Sequence, residues 1–416
     1  MRISIIVDCY YPHSTASAKL VHDLGVEFRK QGHSVMVVTP NCLNHDDLQL
    51  SVESDLLVAR IKTGKLKGVG KLSRAVREAR LSETMWRKGK QFFRDHPSDL
   101  VIFYSPSIFF GPLVRKLKSL WKCPSYLILR DIFPQWAVDA GVLKKGLAYK
   151  FFRMRELEQY AAADVIGVQS PANLAYFAEH LPNKRYELEV IHNWTTLDEP
   201  QFVATNYREK LRLQDKVVFF YGGNIGVAQD MDNILRLAVA LEAEPHIEFL
   251  LVGEGSEVER LKAAIAEKAL TNMRILPAVG QQEYLAMLSE FDVGLVSLDR
   301  RLQTQNFPGK ILGYMSFAKP MLCSLNPGND LKTMLEQNEA GLCSLSGDDE
   351  TLRANALALA NDARLRQQMG ANARRLLERD FAVSVVASRI LSHFKHSPQF
   401  HYAGAEKPMS PAAATL

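Results

Sequence analysis

Short runs of β-branched and aromatic residues recur along the chain and alternate with segments whose apolar positions return every three or four residues. Arg2–Val7 is the first run. Leu20, Val21, Leu24 and Phe28 follow at helical spacing, and Gln31-Gly32-His33 supplies a glycine stop. Val35–Thr39 is the next strand, so the chain opens on a βαβ unit and a parallel sheet is expected. The same pattern predicts strands at Leu56–Ile61, Asp99–Tyr104, Ser125–Leu129, Asp164–Val168 and Glu189–Ile191, and helices across Leu81–Arg94 and Phe109–Trp121. Thr195–Val203 reads as a linker. A second series has strands Lys216–Tyr221, Ile247–Val252, Met273–Leu276, Val293–Leu298 and Met321–Ser324. Its helices are Asp232–Leu241, Val258–Leu270, Tyr284–Ser289, Asp330–Gln337 and Thr351–Arg379, and Phe381–Phe394 is a last amphipathic helix. From His396 the chain is Pro/Ala-rich without periodicity, so residues 396–416 are expected to be disordered. The fold class is therefore α/β, with two doubly wound, Rossmann-like domains at 1–195 and 196–380. In such sheets a ligand is expected at the carboxyl ends of the strands, here in a cleft between the domains.

Composition changes this picture little, and charge changes it more. The chain has 416 residues, 47% hydrophobic and 23% charged, ample for two cores. No run approaches the roughly 18 apolar residues of a membrane span, and Met1–Val7 enters a strand pattern at once, so neither a signal peptide nor a spanning helix is expected. The five cysteines, Cys9, Cys42, Cys123, Cys323 and Cys343, are dispersed and read as reduced thiols of a cytoplasmic protein. Residues 1–195 carry 28 Lys and Arg against 19 Asp and Glu, whereas the remainder is mildly acidic. Much of the excess lies between Arg60 and Arg94. A polyanionic surface partner is expected for the first domain only.

One stretch concentrates candidate chemistry. Gln305-Asn306-Phe307-Pro308-Gly309-Lys310-Ile311 joins the buried run Val293–Leu298 to an apolar helix, Ile311 to Phe317, with Pro308 at the helix start. A strand, a polar loop, a Gly, a Lys and a helix N-terminus suit an anion, although an ordinary turn with a surface lysine would read the same in isolation. Further motifs stand in register with it: Gly222-Gly223-Asn224-Ile225-Gly226-Val227-Ala228-Gln229, Leu251-Val252-Gly253-Glu254-Gly255, Lys319-Pro320, the Tyr11-Pro12 loop and Arg130-Asp131-Ile132-Phe133-Pro134. Together they resemble the bacterial family 4 retaining glycosyltransferases over residues 1 to about 395. The match is nearest to the subgroup that adds amino-deoxy sugars such as fucosamine in O-antigen and capsule assembly.

That resemblance implies a GT-B fold whose second domain binds a nucleotide sugar and whose first binds the acceptor, with the last helix, 381–395, returning to the first domain. It implies transfer with retention and without a bound metal; no cofactor is expected beyond the UDP-sugar donor substrate. Donor-binding positions would be Thr15, Ala16, Gly222, Gly223, Asn224, Gln229, Glu254, Phe307, Pro308, Gly309, Lys310 and Ile311. Charge growing on the leaving diphosphate must be met by fixed donors and cations. The family usually has Arg and Lys where this chain has the neutral Asn224 and Gln229, so Lys310 is the candidate replacement. The family's paired glutamates correspond to Gln305 and Gly313, which leaves ribose recognition to Glu254 or a neighbouring Asn. Asp131 is the candidate to bind or deprotonate the acceptor hydroxyl, with capping of the following turn as the structural alternative. Arg130 is the candidate for an acceptor phosphate. The catalytic set is Asp131, Gln305 and Lys310. His13 and His33 read as structural.

Lys65, Lys67, Lys71 and their neighbours alternate with apolar residues, as do Arg115-Lys116-Leu117-Lys118 and Lys144-Lys145 with Tyr149–Arg153. That interleaving suits an anionic membrane, where a polyprenyl-diphosphate-linked saccharide acceptor would lie, better than a nucleic acid. The expected location is cytoplasmic and peripheral to the inner membrane. A non-catalytic transferase-like binding protein and a nucleotide-sugar epimerase of the same build stay open. An oxidoreductase is disfavoured because no GxGxxG follows the first strand.

Overall fold

The computed structural model describes the chain except residues 13–14, 44–45, 65–69, 71–75, 140, 183, 199–201, 303–306 and 396–416. The basic residues Lys65, Lys67 and Lys71, the loop residue Gln305, His13 and the C-terminal tail lie outside the described residues. The chain divides into two compact units, one formed by Met1–Thr196 with the chain from Val383, the other by Leu197–Ala382.

The first unit is built on strands β1 (Arg2–Ile6), β2 (Ser34–Asn41), β3 (Leu48–Glu53), β4 (Leu56–Lys62), β5 (Leu100–Tyr104), β6 (Ser125–Ile128), β7 (Val165–Val168) and β8 (Glu187–Val190). Their order is β3-β4-β2-β1-β5-β6-β7-β8. All neighbours pair in parallel except β3 with β4. The β3 edge strand was not expected; its apolar side chains alternate with polar ones, but Leu50 and Val52 stay exposed. The helices are α1 (Ala16–Lys30), α2 (Leu81–Asp95), α3 (Gly111–Trp121), α4 (Gln135–Asp139), α5 (Leu147–Tyr160) and α6 (Pro171–His180). Alternate residues of each central strand feed opposite cores. Ile3 and Ile5 of β1 meet Leu24 and Phe28 of α1, while Ile6 faces Leu113 and Leu117 of α3. Val386, Ala387 and Ile390 of the final helix complete the α1 side.

The second unit has strands β9 (Val217–Gly222), β10 (Ile247–Val252), β11 (Met273–Leu276), β12 (Val293–Ser297), β13 (Met321–Leu325) and β14 (Gly341–Leu345). They form one parallel sheet, ordered β11-β10-β9-β12-β13-β14. Helices are α7 (Tyr207–Lys210), α8 (Asp232–Ala240), α9 (Val258–Glu267), α10 (Gln281–Glu290), α11 (Lys310–Ser316), α12 (Asp330–Gln337), α13 (Asp349–Asn361) and α14 (Ala363–Leu376). The helix expected to run unbroken from Thr351 to Arg379 is interrupted at Asp362. There the backbone turns extended and the carboxylate caps the next helix by accepting from Leu365 N–H at 2.9 Å. The last helix of the chain, α15 (Val383–Ser392), packs in the first unit. Among the described residues no helix is long and apolar enough to cross a membrane.

Strand order fixes where the chemistry can gather. The order reverses between β9 and β12, so the loops leaving those two strands emerge side by side at the carboxyl edge, with the loop after β10 next in line.

Candidate functional site

The loops after β9 and β10 are zipped together through their backbones. Gly223 N–H donates to the Val252 carbonyl at 2.9 Å, Ile225 N–H to Glu254 at 2.8 Å, and Glu257 N–H to Ile225 at 3.1 Å. The approach is close enough to require glycine. A Cβ on Gly253 would lie 1.9 Å from the Gly223 oxygen, and Gly223 itself has φ +128. Two uncharged side chains stiffen the first loop. The Gln229 amide oxygen accepts from Asn224 Nδ2 at 2.8 Å and from Gly226 N–H at 3.1 Å. Asn224 and Gln229, expected to reach a donor, are thus paired with each other.

This narrows what the glycine loop can offer an anion. The N–H groups of Gly223, Ile225 and Gly226 are already engaged, and among the described residues Asn224 N–H is the one from 223 to 226 without a partner. The loop's contribution is a bare backbone surface that a ligand can approach closely. Its charge must come from elsewhere.

Lys310 brings it. The α11 helix is seven residues long, too short for a large dipole, and it is fastened over the sheet by Tyr314. That hydroxyl bridges the carbonyls of Leu295 (3.0 Å) and Phe220 (3.2 Å), and its ring fills the space Gly294 leaves. Phe307 and Ile311, expected to touch a donor, are buried in the same core. Their side chains anchor the loop, and Pro308 and Gly309 remain nearer the surface. The anchor sets Lys310 Nζ 3.3 Å from the centre of the Tyr221 ring and beside Gly223. No carboxylate is paired with it among the described residues. The ammonium is part-buried against an aromatic face, and burial lowers its pKa to about 7. The motif's other lysine, Lys319, instead donates to the Ser289 carbonyl at 3.0 Å and is structural.

Two aromatic residues of this site escaped sequence reasoning. Tyr221 reads as a buried strand residue, and its hydroxyl donates to the Asn224 carbonyl at 2.6 Å. Tyr284 of α10 lies across Gly222, where a Cβ would meet its ring at 2.1 Å, and its hydroxyl is 3.8 Å from where a Gly313 Cβ would stand. The space a side chain at 313 would enter is therefore bounded by Tyr284 and Leu288. No sequence signal beyond the coincidence of Gly222 and Gly313 could have indicated this. Glu254 is exposed, and its carbonyl rather than its carboxylate takes part in the loop pairing. Burial and the neighbouring Asp299 raise the Asp230 carboxyl, while the Arg301 guanidinium holds the Asp299 carboxyl below the ordinary range.

In the first unit, Thr15 caps α1 by accepting from Ala18 N–H at 3.2 Å, and Ala16 begins that helix. Arg130 has a different role from the expected phosphate contact. Its guanidinium is buried, donates to the Ile191 carbonyl at 2.6 Å and lies over Trp194 at 5.3 Å. It ties the ends of β6 and β8 together. Asp131 is half-buried beside it, and burial raises its carboxyl above the ordinary range, offset by Arg130. It accepts no backbone cap among the described residues, so the capping alternative is not realised.

Comparison with known proteins agrees with this architecture. Residues 203–376 match the family model described as Glycosyl transferases group 1, a span that contains the glycine loops and Lys310. The chain is 28% identical over 219 residues to the probable glycosyltransferase WbjE of Pseudomonas aeruginosa, covering 52% of this chain and 54% of that one. It is likewise 28% identical over 230 residues to the putative colanic acid biosynthesis glycosyl transferase WcaI of Escherichia coli K12, covering 52% and 55%. The chain thus spans about half the length of the curated relatives it matches. Anabaena HepE, solved in complex with UDP, superposes with a TM-score of 0.65 at 14% identity over 94% of this chain and 99% of HepE. The fold is GT-B, and its second unit carries the sequence pattern of group 1 glycosyltransferases.

Proposed function

We propose that the chain is a retaining, metal-independent glycosyltransferase that moves a sugar, an N-acetylated deoxyhexosamine, from a UDP-sugar to a lipid-linked saccharide in cell-surface polysaccharide assembly. The observation that carries this reading is the placement of Lys310. A cation with no carboxylate partner stands beside a bare glycine loop at the strand-order reversal. A diphosphate on that loop would supply the missing counter-charge, and charge growing on its leaving oxygen would strengthen the contact in the transition state. The group 1 match over the same residues, the polysaccharide role in the name of WcaI and the UDP bound by HepE support it. Donor identity, acceptor and retention rest on the motif resemblance, as does location at the cytoplasmic face of the inner membrane.

A non-catalytic nucleotide-sugar binder is the second reading, favoured by Gly313 in place of the family's carboxylate. One experiment separates the two. Purified protein is titrated by calorimetry with UDP-, GDP- and TDP-sugars and then assayed for sugar transfer to membrane lipid extracts. The transferase reading expects binding of a UDP-sugar and radiolabel in the lipid fraction. Binding without transfer favours the second reading, and binding of no nucleotide sugar refutes both.

A further inference from the structure

The first unit carries a groove that the donor site does not use. It is an open groove of about 490 Å³ along α5, floored by Tyr149, Met154 and Leu157 with Arg115, Lys150 and Lys184 around it.

Helix α5 is apolar on two sides. Phe151 and Phe152 turn inward against Phe109 and Phe133. Leu147, Lys150 and Met154 return at helical spacing on the other side. There Leu147 is 87% exposed and Met154 47%, and Val142 just before the helix is 74% exposed. Large aliphatic side chains left in water this close together mark an interaction surface.

The surrounding charge is mostly positive. Lys144, Lys145, Lys150 and Lys184 make no ion pair among the described residues, whereas Lys116 and Lys118 of α3 are taken by Glu83 and Asp164. Arg115 sits 3.7 Å from Glu158, the one acidic residue of the lining. The structure therefore sorts the basic clusters of the sequence into neutralised and available cations, and the available ones surround the exposed aliphatic residues.

We propose that this groove docks the chain on an anionic phospholipid bilayer. Headgroup phosphates sit on Lys150 and Lys184, while Leu147, Met154 and Val142 enter the acyl boundary. Aliphatic side chains between cations match a surface that is anionic outside and apolar beneath. A nucleic acid would meet the cations and leave Leu147 and Val142 without a partner. The proposal stands independently of the donor-site reading.

The test is flotation of the full chain with vesicles of equimolar phosphatidylglycerol and phosphatidylcholine, alongside UDP titration of every variant. Wild type is expected to float with these vesicles and not with phosphatidylcholine alone. Lys150→Glu and Lys184→Glu should each lower the partition coefficient by about fivefold or more. Leu147→Asp should lower it comparably, while Arg87→Glu/Lys90→Glu on α2 should change it less. Thermal melting and any UDP affinity should be the same in all of them, which shows that the variants fold. Flotation of Lys150→Glu and Leu147→Asp equal to wild type, or a wild type that never floats, overturns the proposal. So does loss of a dimer in Leu147→Asp with flotation unchanged, which would assign the face to a second copy. Protection of the groove by inorganic phosphate without any vesicle binding would likewise assign it to a free anion.

Discussion

Lys310→Ala is expected to weaken UDP binding by about 10- to 100-fold without loss of the fold. The magnitude is that of a hydrogen bond to a charged group, roughly 1.5–3 kcal/mol. The glycine loop cannot compensate, because its N–H groups at 223, 225 and 226 are spent on Val252, Glu254 and Gln229. The neighbouring amides cannot either, since Asn224 and Gln229 are uncharged and bonded to each other. Stability should hold or rise, because the ammonium is part-buried with no carboxylate partner and burial already disfavours its charged form. Lys310→Met keeps the stem against Tyr221 and should lose affinity to the same extent. Calorimetric titration with UDP and a thermal melt measure both quantities. An unchanged UDP affinity would refute the phosphate role.

Asp131→Asn is expected to lower the transfer rate by about 10²- to 10⁴-fold, the range of general-base catalysis, with UDP affinity unchanged. The carboxyl is half-buried, spends nothing on a backbone cap, and is raised by desolvation. Raising a carboxyl makes it the stronger base, and a base works only when unprotonated. The wild-type rate should therefore fall as pH drops through a value above that of an ordinary carboxylate, and Asp131→Asn should lose that dependence. Equal rates for the two proteins would return Asp131 to a structural role.

Much of the scaffold was legible in the residues. The central strands are β-branched runs buried on both faces, and such runs have few alternatives. Elements whose apolar residues serve two surfaces were not legible. Helix α5 carries Phe151 and Phe152 inward and Leu147 and Met154 outward, so its period blurs. Edge strand β3 has the right alternation but is short and leaves Leu50 and Val52 exposed. Strand β14 and helix α6 were missed as well. In the site, the motif identified Lys310, but its setting depends on β9 and β12 being neighbours, which no local pattern states. The same adjacency places Tyr221 beneath it. Arg130 shows the opposite failure: a cation next to a candidate base reads as a ligand contact, and only the three-dimensional arrangement shows it spent on the Ile191 carbonyl and the Trp194 face.

A nucleoside diphosphate that completes the charge of Lys310 should bind with uptake of a proton. Burial lowers the pKa of free Lys310 to about 7, and a bound diphosphate favours the charged form and raises it again. Below about pH 7 the lysine is protonated in both states and affinity is flat. Above it, binding must draw a proton from solvent, and affinity should fall by up to about tenfold per pH unit until the complex's own value is reached. UDP-N-acetylglucosamine suits the measurement, since its diphosphate is a diester with no proton to titrate in this range. Calorimetry between pH 6 and pH 9 in buffers of different ionisation enthalpy should show proton uptake approaching one per site near pH 8 in wild type and none in Lys310→Met. Affinity in Lys310→Met equal to wild type at pH 6, or proton uptake that persists in Lys310→Met, would contradict the assignment.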